Sequence, residues 1–401
     1  MALVQLIAQG PQDELLTARP QTSFFRSVYR RPTPFADEWK DQVFAGTASF
    51  GSRAVVKIGR LGDLVHRCML QMTFRRTGPT FYPAEAFVKS VELWIGGQLI
   101  DTHDATFFRL YDEIYRTEDA RMAYREMTDF TTETVGTTKT MYLPLLFFFC
   151  RDVSLSLAMI SLQYHDVELV FQFADEVDGV DMSLDPMPTL VCQYFYLDND
   201  ERRLFSQSQR ELLIEQLQVY TTDIAISTGD KATQHLELRF NHPVKSLLWA
   251  CVHPTKHGVF TGSMVGLEPQ EVYAPLHSAK LLIDGVERAE VRTGSWLRLV
   301  EAFARTRQIP SAGVYSMHFC MHPGSVTAPS GSLNFSRLHG VMTMTFKRAV
   351  PGTNTQNRAQ IADPAEETVE GATALTRLVM YAQSWNQLTI RSGMAGLLWS
   401  N

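Results

Sequence analysis

The chain has 401 residues, 45% apolar and 20% charged, a balance typical of globular proteins and a length that favours two domains over one. Its formal net charge is −6, with Lys and Arg dispersed among acids, which argues against a nucleic-acid coat made by this chain alone. Five scattered cysteines (Cys68, Cys150, Cys192, Cys251, Cys320) form no C-x-x-C pair and read as buried free thiols in a reducing compartment.

Residues 1–24 read as an arm, broken at Gly10-Pro11 and Pro20, that must dock on this chain or a neighbour. The opening apolar run is short, and Asp13 and Glu14 follow it, so a signal peptide is not expected. Phe24, Phe25, Tyr29, Phe35 and Trp39 form an aromatic cluster interrupted by Pro32 and Pro34. It is expected either to close the bottom of the first core or to pack on a partner subunit. Val56 and Ile58, then Leu70, Met72 and Phe74, alternate about Gly62-Asp63 as in a hairpin. A second hairpin is expected at Gly96-Gly97, the turn chemistry of primed two-residue loops. Asp101–Thr117 is expected to be the one clear helix of this half, with Asp104 as its cap. Thr128–Thr140 reads as a loop, Tyr142–Cys150 as a buried strand too short to span a bilayer, and Leu162–Phe173 as a long strand. Asp175–Pro188 reads as an exposed loop, and Val191–Tyr196 closes the half.

The midpoint, Asp198–Arg203, turns strongly polar and reads as a joint between similar halves. Beyond it the plan repeats. Leu236, Leu238 and Phe240 alternate, Val244–Val252 is a strand, Asp284-Gly285 turns a hairpin, and a helical pattern begins near Ser295. Phe107-Phe108-Arg109-Leu110 answers Trp296-Leu297-Arg298-Leu299; Leu162-Gln163-Tyr164 answers Leu333-Asn334-Phe335; Tyr142…Cys150 loosely answers Tyr315…Cys320. Three matches in the same order argue for duplication. Pro351–Gly371 reads as a polar loop, and Leu375–Trp399 as the closing strands. The fold expected is all-β: two tandem eight-stranded jelly-roll β-sandwiches with short helices in loops. The boundaries expected are 1–24 for the arm, 25–197 for the first jelly roll, 198–208 for the joint and 209–401 for the second.

No nucleotide-binding, zincin or nucleophile-elbow motif is present. His165-Asp166, as neighbours on a strand, would point to opposite faces. His103 is expected at the surface or in capping, His242-Pro243 in a turn, and Asp112-Glu113 and Glu366-Glu367 as solvated charge. Asn334-Phe335-Ser336 fits the N-glycosylation triplet only weakly. No catalytic residue, cofactor or metal site is expected.

Several blocks carry a resemblance along nearly the whole chain. They are Gln5–Asp13 with Leu16-Thr17 and Thr22–Phe25; Tyr29–Arg31 with Phe35-Ala36; Gly62–Arg67; Leu143-Pro144 through Phe149–Arg151; and Leu162–His165. Leu197-Asp198 with Glu201–Arg203, Asn241–Lys245, Pro329–Arg337 and Ser392–Leu397 complete the set. The chain resembles the major capsid proteins of nucleocytoplasmic large DNA viruses. The resemblance implies two consecutive jelly rolls, a homotrimeric pseudo-hexagonal capsomer, and an icosahedral shell over an internal membrane that the protein does not span. It implies neighbouring capsomers and minor capsid proteins as partners, and no direct nucleic-acid binding. Candidate capsomer or lattice contacts are Gln9, Gln12, Asp13, Phe24, Phe25 and Arg31; the joint residues are Asp198, Glu201, Arg202 and Arg203. Modest loops at 128–140, 258–270 and 351–371 imply low outer towers. The alternatives are a double jelly-roll scaffold that shapes an immature viral membrane, and a lectin-like or carbohydrate-active β-sandwich, which would need paired carboxylates in a groove.

Overall fold

A computed structural model describes residues 2–8, 10–11, 18–27, 29, 31–76, 83–129, 136, 138–175, 180–182, 187–226, 231–252, 276–311, 313–347 and 374–399. It divides into two compact units, Met1–Phe35 and Ala36–Asn401. In the first, Ala2–Ile7 is helical. Phe24, Phe25 and Tyr29 are exposed, as are Phe35 and Trp39, so these aromatics do not close a core. Phe44 and Phe50, further along the chain, do so: Phe44 meets Phe171 edge-on at 5.4 Å, and Phe50 lies 6.0 Å from Phe87.

Among the described residues the larger unit holds four sheets. From its first half come β1 (Phe35–Val43), β2 (Arg53–Lys57), β3 (Leu64–Arg76), β4 (Val88–Ile95), β5 (Gln98–Asp104), β6 (Thr138–Pro144), β7 (Leu157–Ala158), β8 (Val167–Phe173), β9 (Val180–Met182) and β10 (Thr189–Leu197). They form the sheets β1-β10-β3-β6, with β7 and β9 added to β3, and β2-β8-β4-β5. From the second half come β11 (Arg210–Ile226), β12 (Lys231–Leu238), β13 (Pro243–Val252), β14 (Leu276–Ile283), β15 (Val286–Thr293), β16 (Val314–His318), β17 (Leu333–Asn334), β18 (Gly340–Lys347), β19 (Ala374–Arg391) and β20 (Met394–Leu397). Their sheets are β11-β19-β13-β16, with β17 on β13 and β20 on β19, and β12-β18-β14-β15. The two halves share one strand order: β11, β19, β13 and β16 stand where β1, β10, β3 and β6 stand, and β12, β18, β14 and β15 repeat β2, β8, β4 and β5. Even the two-residue strands β7 and β17 occupy corresponding places, on β3 and β13. This is a double jelly roll, and the duplication read in the letters is a duplication of topology.

Local chemistry explains the elements. Gly96 and Gly97 have φ of 58° and 80°, as a type I′ turn requires, and β4 pairs with β5 around them; Asp284 and Gly285 repeat this at 49° and 79° between β14 and β15. The helix Ala105–Tyr115 starts where Asp104 accepts a hydrogen bond from the Phe107 amide (2.8 Å). In the first core Val56, Leu169, Phe171 and Leu93 meet Leu70, Met72, Phe74 and Cys192; in the second, Leu238, Met344 and Leu281 meet Trp249, Met380 and Tyr315. All five cysteines are free.

Further expectations are corrected: Asp101–Asp104, expected in the helix, belongs to β5, and the segment 175–188, expected as a loop, contains β9. β2 and β3 do not form a hairpin, because they lie in different sheets; alternation identifies strands but not their partners. Tyr142–Cys150 is a strand only to Pro144, after which Phe148–Arg151 forms a helical turn; a run buried on every side carries no period to tell the two apart. The long strand expected from Leu162 begins at Val167. Ala105–Tyr115 is not the one helix of its half, since Glu118–Thr128 is also helical, capped by Thr117. Its buried residues are Arg121, Tyr124 and Thr128, so it lacks an apolar stripe. The outer-loop segments 258–270 and 351–371, and Glu366-Glu367, lie outside the described residues.

Candidate functional site: the seam between the two sandwiches

In sheet β11-β19-β13-β16 the inner strands β13 and β19 are buried on both faces over Ser246–Cys251 and Leu378–Asn386. Leu247, Trp249 and Cys251 of β13 line the second sandwich's own core, while Leu248 and Ala250 join the core cluster of the first sandwich. Likewise Met380 of β19 points inward, and Tyr381 and Val379 point toward the first sandwich. A strand buried on both faces reads as an unbroken apolar run, which is the pattern of Ser246–Val252. The other side of the seam is built by the Ala105–Tyr115 helix and Leu145–Phe149; Phe107 lies 5.6 Å from Tyr381.

Polar ties run along the seam. Tyr381 donates its hydroxyl to Asp104 at 2.6 Å, and Tyr115 donates its own to Gln383 at 2.6 Å. The edge strand β5 meets the edge strand β11: Gln216 donates to the Ile100 carbonyl at 2.5 Å, and the Leu217 amide to Asp101 at 3.0 Å. The Ala395 amide donates to Nδ1 of His165, which packs against the backbone of Gly96 so closely that a Cβ there would collide with its ring. Asp166 turns away to Lys57 and Arg60, so the pair His165-Asp166 does not act on one centre.

Two buried ionic groups lie here. In one, Arg151 donates to Glu215 at 2.6 Å and to the Leu146 carbonyl at 2.6 Å, while Lys245 pairs with the other oxygen of Glu215 and donates to the Pro323 carbonyl at 2.9 Å. Burial pushes the Lys245 amine down, and Glu215 opposes that shift. In the other, Asp112 and Glu113, expected as solvated charge, are buried on the inner side of their helix. Glu113 accepts from Arg125 at 3.1 Å and from the amide and hydroxyl of Ser311 in the second sandwich at 3.1 and 2.9 Å. Burial works against its ionisation, but Arg109, Arg121 and Ser311 prevail and hold it below the usual carboxylate range. Glu85, 3.6 Å from Arg109, gets too little of that help: burial outweighs Arg109 and pushes its carboxyl up to about 7, and burial likewise pushes Asp112 up to about 6.

His103 is not at the surface. It is fully buried, stacks on Phe147 at 4.6 Å and hydrogen-bonds Asp101 at 3.0 Å. His242 does sit in a turn, with φ of 65° and its amide donating to Ser336. His318 hydrogen-bonds the hydroxyls of Ser246 (2.8 Å) and Ser316 (3.1 Å), a Ser–His pairing, but both serines are fully buried, and burial pushes the imidazole down to about 3. Among the described residues no cluster of His, Cys, Asp and Glu could hold a metal ion, and no helix is long and apolar enough to cross a membrane.

The midpoint segment forms the helix Asn199–Gln207, with Asp198 at its N-cap and no buried residue. Asp198 and Arg203 are exposed and Glu201 is half-buried. Arg202 grips Asp63 with two hydrogen bonds of 3.0 Å, and Asp63 also accepts from the Leu197 amide. Phe24, Phe25 and Arg31 are exposed; Gln9, Gln12 and Asp13 lie outside the described residues. The seam residues Arg151, Glu215 and Lys245 were missed in the sequence. Lys245 carries a signal, as the lone charge inside the largely apolar strand Pro243–Val252, whereas Glu215 sits among other polar residues of β11 and carries none.

The family model described as major capsid protein N-terminus matches residues 23–211, and that described as large eukaryotic DNA virus major capsid protein matches 201–396. The major capsid protein of Paramecium bursaria Chlorella virus 1 is 37% identical over 435 residues, covering 100% of this chain and 99% of the relative. That of Pyramimonas orientalis virus is 35% identical over 416 residues, with coverage of 100% and 99%. A quasi-atomic model of the PBCV-1 virus capsid superposes with a TM-score of 0.84 at 35% identity, covering 94% of this chain and 100% of that one. The Faustovirus major capsid protein shares the fold, with a TM-score of 0.69 at 11% identity over 97% and 96% of the two chains. With two sandwiches of one topology, joined by a buried seam, and relatives matched end to end, the chain belongs to the major capsid proteins of large eukaryotic DNA viruses.

Proposed function

We propose that this protein is the structural subunit of a virion shell: three copies form a pseudo-hexagonal capsomer, and capsomers tile an icosahedral lattice. The observation that carries this reading is the seam. Two sandwiches of one topology are locked side by side by a shared core and buried ion pairs, so each chain offers two near-equivalent wedges to a closed ring. Residues 25–197 and 209–401 are the wedges, and 198–208 connects them. The arm, 1–24, makes lattice contacts through Gln9, Gln12, Asp13 and Phe24, with Phe25 and Arg31 just beyond. Minor capsid proteins lie beneath the shell, beside a membrane that this chain does not cross, and the role is structural rather than enzymatic.

Light scattering on the purified protein tests the ring: a mass of three chains is expected, and a stable monomer at micromolar concentration overturns it. Removing residues 1–24 is expected to leave the trimer intact and abolish lattice assembly. The abundance of the protein in purified virions separates a permanent shell from a scaffold, since a scaffold leaves only traces.

A further inference from the structure

The helix Glu118–Thr128 lacks the apolar stripe that fastens most helices, since only Arg121, Tyr124 and Thr128 of it are buried. Its ties run instead to the Ala105–Tyr115 helix and the residue after it. Arg121 donates to the Glu113 carbonyl at 2.9 Å and Arg125 to the Glu113 carboxylate at 3.1 Å. The Arg116 guanidinium stacks over the Tyr124 ring at 3.7 Å.

Buried polar atoms beside this helix find no hydrogen-bond partner among the described residues. They are both carboxylate oxygens of Glu85 and of Asp112, Nη1 of Arg109, Nε of Arg121 and of Arg125, and the Tyr124 hydroxyl. Opposite charges stand close, yet just outside bonding range. Arg109 lies 3.6 Å from Glu85, and Arg116 and Arg125 lie 3.7 and 3.9 Å from Asp112. Buried polar groups left unpartnered are costly, and native proteins satisfy them with water where no protein group reaches. The mixture of groups decides the ligand. A cation would suit the carboxylates and face the arginines; an anion would do the reverse. Water both donates and accepts, and one molecule serves about three such groups.

We infer that Glu85, Asp112, Arg109, Arg121, Arg125 and Tyr124 enclose a cluster of ordered waters, and that the Glu118–Thr128 helix is a flap over this cluster that opens as a unit as pH rises. The closed flap keeps Glu85 and Asp112 from bulk water and so favours their neutral forms. Opening hydrates both carboxyls, so the open form gains as pH rises toward about 6 for Asp112 and about 7 for Glu85. Arg109, Arg116 and Arg125 temper that gain without cancelling it, and Glu113 and Asp129 add to it. Lys139 faces Asp129, and Glu118 pairs with Arg121 on the solvent side at 3.1 Å. Opening also withdraws Arg121 and Arg125 from Glu113, which holds the amide and hydroxyl of Ser311 in the second sandwich. The flap is thereby coupled to the seam.

Hydrogen exchange on the full-length protein tests the flap. With intrinsic rates corrected, amides of 118–128 are expected to lose protection about tenfold or more between about pH 5 and pH 7.5, while those of the Ala105–Tyr115 helix keep theirs. Glu85→Gln carries no charge at either pH and is expected to remove most of that change. Protection of 118–128 that does not vary with pH, or that falls only together with that of the Ala105–Tyr115 helix, overturns the flap; this comparison needs no variant. A Glu85→Gln protein that loses protection as steeply as the wild type overturns the assignment of the opening to the cage. A crystal structure at about pH 5 tests the cluster. Waters bridging Glu85 and Asp112 to the guanidinium groups and to Tyr124 are expected. Carboxylates bonded directly to the arginines, with no water among them, overturn it.

Discussion

Tyr381, in the second sandwich, gives its hydroxyl proton to Asp104, the residue that caps the Ala105–Tyr115 helix in the first; the oxygens lie 2.6 and 2.7 Å from the phenol. One carboxylate therefore both starts a helix and receives the neighbouring sandwich. Burial raises its pKa, against the stabilising pull of Tyr381 and of the Phe107 amide. Tyr381→Phe keeps the ring against Phe107 and removes only the donor. It is expected to cost roughly 1–3 kcal/mol in urea unfolding, the range for leaving a buried acceptor short of a partner. Asp104→Ala loses the cap as well, at about 1 kcal/mol more. Equal losses in the two variants would show that capping adds nothing.

Glu215 holds two cations, Arg151 from the first sandwich and Lys245 from its own. All three side chains are buried. Glu215→Gln keeps the shape but leaves two positive charges facing each other without a counter-charge. Breaking a buried pair in this way costs roughly 3–5 kcal/mol. The loss is expected in chemical denaturation at neutral pH. A change below about 1 kcal/mol would mean that water reaches the seam and screens the charges.

The cluster around Arg109 predicts a pH dependence. Glu85 and Asp112 hold their protons more tightly in the folded chain than in the unfolded one, where their ordinary values are 4.5 and 3.8. The stability they contribute is present in full below those ordinary values. It is lost as pH rises through about 6 for Asp112 and about 7 for Glu85. The groups facing them are Arg109, Arg116 and Arg125, with Glu113 and Asp129 as further acids. Melting temperature is therefore expected to fall between about pH 4 and pH 7, and Glu85→Gln to flatten part of that fall. A variant that loses stability as steeply as the wild type removes Glu85 as a cause.

The duplicated fold could be read from the letters because jelly-roll hairpins depend on local chemistry. Gly96-Gly97 and Asp284-Gly285 must adopt positive φ, and few residue pairs do so without strain. What could not be read depended on tertiary partners. Asp112 and Glu113 look like surface charge on an amphipathic helix until Arg109, Arg116, Arg121 and Arg125 converge on them from that helix and the next. The Glu118–Thr128 helix escapes the periodicity test because its inner face is that same ionic cluster. The contact-bearing face of sheet β11-β19-β13-β16 was hidden in the other direction, as plain apolar strand.

Arg202 decides how much the connecting helix contributes to the angle between the sandwiches. Its fork closes on Asp63, which is buried, but the arginine itself is 47% exposed. The same helix offers its Phe205 carbonyl to Ser161 at 2.6 Å, so both ties run to the first sandwich. The seam, by contrast, crosses between sandwiches with a shared apolar core and the Arg151–Glu215–Lys245 group. With its arginine half in solvent the pair contributes less than a fully buried one: removing Arg202 leaves the buried Asp63 short of a donor, at roughly 1–3 kcal/mol, under the cost expected for Glu215→Gln. Arg202→Ala is therefore expected to lower stability by no more than about 3 kcal/mol and to leave the trimer mass unchanged. Small-angle scattering of the trimer is expected to superpose on that of the wild type. A trimer that dissociates or changes shape on this substitution would move control of the angle from the seam to the 198–208 connection.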